Sequence, residues 1–130
     1  MTKVSKDCYF WSMDRYALIL TPSKEMIDWV NEVLEDSPID YESLKGHDGS
    51  DVFLIDEFDN VDEAEVWLKD NHYMFLEEML IGWVENDELW PKELDWKLFE
   101  KFINYSIQTV VYDIAGESQD EDDLITFSQN

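Results

Sequence analysis

Residues 15–23 read Arg15-Tyr16-Ala17-Leu18-Ile19-Leu20-Thr21-Pro22-Ser23. A short apolar run closed by turn-forming residues reads as a buried strand that feeds a helix. Thr21 as the helix cap with Pro22 at the first helical position suits that junction, because proline lacks the N–H that a first turn leaves unused. Met26, Ile27, Val30, Val33 and Leu34 then recur at helical spacing until Asp36-Ser37-Pro38 stops the helix. Residues 38–50 show no period and contain Gly46 and Gly49, so they read as a connection. Val52-Phe53-Leu54-Ile55 is a second apolar run and reads as a second buried strand.

Asn60 followed by Glu63 resembles a capping box that opens a long helical segment. Ala64, Trp67, Leu68, Phe75, Leu76, Met79, Leu80 and Trp83 form its apolar positions, and the weak helix formers Asp70-Asn71-His72 mark a break. Pro91 ends the pattern. Asp95 caps a further helix, with a Leu94–Phe99 staple and Phe99, Phe102 and Ile103 on the buried face. Residues 106–114 are the best β-candidate, and Tyr9–Trp11 could add an N-terminal strand.

The expected fold is therefore α/β or α+β, in the order β-α-β-α-α-β. It has a small mixed sheet of three to four strands with helices packed on it. A right-handed crossover through the first helix makes the first two strands parallel neighbours. Residues 1–116 form one domain of ordinary size, and the polar run after Gly116 makes residues 117–130 an acidic, mobile tail on which Leu124, Ile125 and Phe127 could dock.

Charge is the other strong signal. The chain carries a formal −23, and residues 56–90 alone hold twelve carboxylates against one cation, Lys69. Nineteen aromatic residues exclude a disordered acidic chain, since disorder pairs charge with few aromatics. Self-repulsion of this size opposes compaction, so the core must be strong. A surface of this sign repels phosphates, which excludes direct nucleic-acid or membrane binding. No run approaches the roughly 20 apolar residues of a membrane span, the first residues lack a secretory apolar region, and Cys8 is alone. Those features point to the cytoplasm.

Recognisable catalytic motifs are missing. Asp56-Glu57-Phe58-Asp59-Asn60-Val61-Asp62 lacks the alternating ligands and central glycine of a calcium loop, and reads better as an acidic helix start. His47 and His72 have no ligands at short spacing, and the four glycines form no phosphate cradle. No cofactor or metal is called for. One enzymatic reading rests on Asp56 and Asp113, which would share the carboxyl edge of the sheet if the second and third strands ran parallel.

Trp29, Trp67 and Trp96 fall where helix faces meet the core. Trp83-Val84-Glu85-Asn86-Asp87-Glu88-Leu89-Trp90-Pro91 differs, because two tryptophans flank a loop dense with acids, a combination typical of recognition surfaces. The candidate interaction residues are thus Trp83, Glu85, Asp87, Glu88 and Trp90, with Asp56, Glu57 and Asp59 at the end of the second strand. Residues Ile27–Asn31, Val52–Ile55 and Trp83–Pro91 also resemble a group of small acidic bacterial proteins of unknown function, over about residues 15–114. That resemblance implies one compact α/β domain and brings no catalytic residues with it.

The function these features favour is a non-enzymatic interaction or regulatory module with a basic protein partner, because a one-signed field steers a complementary partner. Three alternatives share the composition: a nucleic-acid mimic that occupies a DNA- or RNA-binding groove, a small metal-dependent enzyme using the Asp56/Asp113 edge, and a charge kept purely for solubility.

Overall fold

The computed structural model describes residues 10–36 and 38–114. Cys8, Ser37 and the acidic segment 117–130 lie outside them. The elements are β1 (Trp11–Ser12), β2 (Arg15–Pro22), α1 (Lys24–Val33), β3 (Asp51–Asp56), α2 (Val61–Asp70), α3 (His72–Trp83), α4 (Trp96–Phe102), β4 (Ile103–Gln108) and β5 (Tyr112–Asp113). The fold is α+β.

β2 is the central strand of a three-stranded sheet, with β3 and β4 as its edges. Both neighbours run antiparallel to it, so the sheet is not mixed and β2 and β3 are not parallel. The crossover rule did not apply because the connection does more than carry a helix. Residues 34–50 bring the chain back to the end of β2, where Leu20 stands in register with Asp51 and the Thr21 and Ser50 hydroxyls meet at 2.6 Å. Asn31 holds this return: its side chain accepts from Ile39 N–H at 2.7 Å and donates to Ile39 carbonyl at 2.9 Å. Two glycines let it turn. Gly46 has φ +97°, and a side chain on Gly49 would strike the Leu44 carbonyl.

Alternation along β2 splits the sheet into two unlike faces. Tyr16, Leu18 and Leu20 point into the core with Met26, Val30, Leu68, Leu76, Leu80, Phe99 and Ile103. Phe53 and Ile55 of β3 share that face through their register with Leu18 and Tyr16. Ala17 and Ile19 face the other way, flanked by Leu54 and Val52 on one side and by Gln108 and Ser106 on the other. Helices cover only the first face. Val52 and Leu54 stay 62% and 49% exposed, which corrects the reading of β3 as a fully buried strand.

The strand–helix junction falls two residues later than the sequence pattern placed it. Pro22 ends β2, and Ser23 caps α1 by accepting from Met26 N–H at 3.1 Å. The Ser23 hydroxyl also donates to the Lys101 carbonyl at 2.7 Å, and Ser23 N–H to the Phe102 carbonyl at 2.8 Å. That tie fixes the point where α4 passes into β4 without a loop, so Ile103 is a strand residue and not part of a helical face.

The other caps match their sequence signals. Asn60 accepts from Glu63 N–H at 2.9 Å and Asp95 from Leu98 N–H at 2.9 Å. The break at Asn71 separates α2 from α3. The C-terminal β-candidate divides: β4 ends at Gln108, and β5 pairs with β1 in a separate two-stranded ladder that sets Trp11 against Asp113. The register changes by one residue between the two ladders, so the β1–β2 side carries one extra residue, as at a bulge.

Candidate interaction surface

The acidic loop begins where α3 runs out. Val84 is buried and its N–H donates to the Leu80 carbonyl at 2.7 Å, which closes the last helical turn. Asn86 then accepts from Glu88 N–H at 3.0 Å and starts a short 3-10 turn over Asp87–Leu89. The Trp90 indole N–H reaches back to the Val84 carbonyl at 2.7 Å and staples the loop shut. Glu85, Asp87 and Glu88 are exposed on this frame, beside the 41% exposed Leu89. Trp83 and Trp90 instead pack partly buried against the core. The loop therefore offers carboxylates and a leucine, and its two tryptophans hold it in place.

Pro91 lines a groove of about 390 Å³ between α1 and α4. Trp29, Leu98 and Phe102 give it an apolar floor, and the Trp29 and Phe102 ring centroids lie 5.5 Å apart. Glu25, Asp28 and Glu32 of α1 rim it, with Lys101 opposite in sign. Spacings of three and four place those acids on one helix face. Sequence reasoning assigned Trp29 to the core and passed over this acidic row beside it.

The second predicted cluster occupies the β3–α2 turn. Asp56, Glu57 and Asp59 are exposed, and Asp59 N–H donates to the Glu63 carboxylate at 3.3 Å. Asp62 and Glu63 follow in the first turn of α2, where the helix dipole favours carboxylates. Phe58 anchors this turn: its carbonyl accepts the Tyr16 hydroxyl at 2.6 Å, and its ring lies 5.8 Å from Trp67. Loop and turn are thus two separate acidic presentations, one after α3 and one after β3.

The parallel direction that the Asp56/Asp113 pairing required is present, since β3 and β4 both run antiparallel to β2, but Asp113 does not lie on β4. Asp56 ends β3 opposite Arg15, whereas the third strand of the sheet ends at Gln108 and Asp113 belongs to the ladder with β1. No group of three or more His, Cys, Asp or Glu residues suited to a metal ion occurs among the described residues. His72 is a packing residue. Its Nδ1 lies 2.8 Å from the Lys69 carbonyl and its ring meets Trp96 edge-on at 5.8 Å.

Charge compensation among the described residues is slight. Among the described residues two ion pairs form, Lys24–Asp28 at 3.1 Å and Lys45–Glu42 at 3.3 Å, both exposed and local. Neither uses a carboxylate from residues 56–90. Two tyrosines register their acidic neighbours. Partial burial, then the hydrogen bond to Glu65 at 3.1 Å, raises the Tyr105 hydroxyl above the ordinary 10.0. A hydrogen bond to Glu77 raises Tyr73.

Fold and surface together define a small acidic α+β domain with a one-sided antiparallel sheet. No family model matches the chain, nor does any curated protein or solved structure. No described helix is long and apolar enough to cross a membrane.

Proposed function

We propose that this domain is a non-enzymatic interaction or regulatory module that binds a basic protein partner. One observation carries the reading: the twelve carboxylates of residues 56–90 stand outside both ion pairs of the described residues, so their field is open to a partner. An uncompensated field of one sign accelerates encounter with a complementary surface and rejects like-charged ones. The loop acids Glu85, Asp87 and Glu88 sit on a frame closed by the Trp90 indole, so they meet a partner with little ordering cost.

The test is affinity capture on the immobilised full chain, with stepwise salt elution and identification of what elutes. Basic proteins should bind at low ionic strength and leave as salt screens the contacts. The charge-reversed variant Glu85→Lys, Asp87→Lys, Glu88→Lys should lose them. Recovery that is insensitive to both salt and charge reversal overturns the proposal.

A further inference from the structure

β3 is an edge strand of the three-stranded sheet. β3 pairs with β2 on one side, and on its other side no backbone partner occurs among the described residues. Proteins usually blunt such an edge with lysine, proline, a bulge or a very short strand, because unpaired N–H and C=O groups template further pairing. β3 has no lysine, proline or bulge, and its only charges are the carboxylates Asp51 and Asp56 at its two ends. It runs six residues, Asp51–Asp56, with Val52 and Leu54 exposed on the open face. Its other face borders a cleft of about 320 Å³, where Phe53 and Ile55 of β3 meet Trp67, Met74 and Phe75 of the helices. The opposite edge of the sheet differs. β4 presents polar Asn104, Ser106 and Gln108 to the open face, and Ser106 and Gln108 bond to each other at 2.6 Å.

We infer that β3 captures an extended basic segment of a partner by strand addition, with alternating apolar and Lys or Arg side chains. This rests on the basic-partner reading above and assigns it a place and a conformation. In strand addition the main chain supplies the ladder, and alternate side chains are read on the two faces. One row of the incoming strand fills the Phe53–Met74 cleft, and the other lies over Val52 and Leu54.

Charge selects the occupant. Asp51 and Asp56 stand at the two ends of β3, Glu57 follows, and Glu77 and Glu78 lie one turn beyond Met74 on α3. Arg15 is the single cation lining the cleft, opposite Asp56 in register. A second copy of the chain brings −23 to an edge already rimmed with acids, so self-pairing is opposed. A basic strand meets attraction at the same place.

The experiment uses the isotope-labelled full chain and three capped cationic peptides of equal charge. The first has five Lys-Val repeats. The second is the same peptide with alternate backbone nitrogens methylated along one edge, which removes ladder donors and keeps every charge. The third replaces valine by glycine. Affinity is measured at low ionic strength, with amide hydrogen exchange read at residues 51–56. The Lys-Val peptide should bind about tenfold or more tightly than its methylated form and slow exchange along β3. Equal affinity of all three peptides without protection at β3 overturns strand addition and leaves the basic-partner reading standing. Failure of every peptide to bind overturns both. Protection of β3 without peptide, together with concentration-dependent dimers in sedimentation, assigns the edge to a second copy and overturns the inference.

Discussion

The Trp90 indole N–H donates to the Val84 carbonyl at 2.7 Å, across the five residues 85–89, of which Glu85, Asp87 and Glu88 are exposed acids. One hydrogen bond thus holds a loop whose charges push it open. Replacing Trp90 with phenylalanine keeps an aromatic ring and orphans that carbonyl, at a cost of about 1–2 kcal/mol. Urea denaturation should show the loss at low salt and a smaller loss at high salt, where the acids repel less. Equal losses at both salts would show that repulsion plays no part.

Ser23 serves two elements, so its removal should cost more than an ordinary cap. Ser23→Ala loses the α1 cap and leaves the Lys101 carbonyl without its donor, together about 2 kcal/mol. Asn60→Ala, a cap exposed to solvent, should cost about 1 kcal/mol. Chemical denaturation of the two variants side by side reads the difference.

The two faces of the sheet predict opposite tolerance. Leu18→Ala opens a cavity in the core and should destabilise by about 3 kcal/mol. Leu54→Thr, on the open face, should change stability by less than about 0.5 kcal/mol. A large loss at Leu54 would mean that something covers this face in solution.

Tyr105 should ionise above the ordinary tyrosine value of 10.0, seen by ultraviolet titration against Tyr105→Phe. Glu65→Gln removes the neighbouring charge and should lower the midpoint. Because the folded value is raised, the unfolded chain ionises first. The associated stability is complete below the unfolded value and disappears as pH rises through the folded one. Alkaline unfolding of Tyr105→Phe should therefore be the shallower.

Added salt should stabilise the protein. With two ion pairs among the described residues to weaken and a formal −23 to screen, raising sodium chloride from low to near-molar concentration should lift the melting temperature by about 5 °C. A fall would show that favourable pairs outweigh repulsion.

Local signals were legible in the sequence wherever one residue type has one structural use. Asn60, Asp95 and the break at Asn71 each acted through their own side chain or propensity, and each stands where the pattern put it. Strand direction was not legible, because it depends on how far residues 34–50 carry the chain, and that rests on the Asn31–Ile39 clamp and Gly46. The division of residues 106–114 escaped for a similar reason. β-propensity is continuous through Val110 and Val111, yet the pairing partner changes from β2 to β1. At the loop, the acid–aromatic pattern was visible, but only the three-dimensional arrangement separates the exposed carboxylates from the tryptophans that brace them.

The position of β2 also bears on how this chain leaves the ribosome. Its second neighbour is β4, with Ala17 in register with Gln108 and Pro22 with Ile103. β2 and β3 can pair as soon as residue 56 has emerged, yet β2 then keeps one bare edge while nearly fifty further residues are made. A strand edge left open during synthesis is an aggregation hazard. Most of that interval falls within residues 56–90, which hold twelve carboxylates against one lysine, so like-charged nascent chains repel one another while that edge waits for β4.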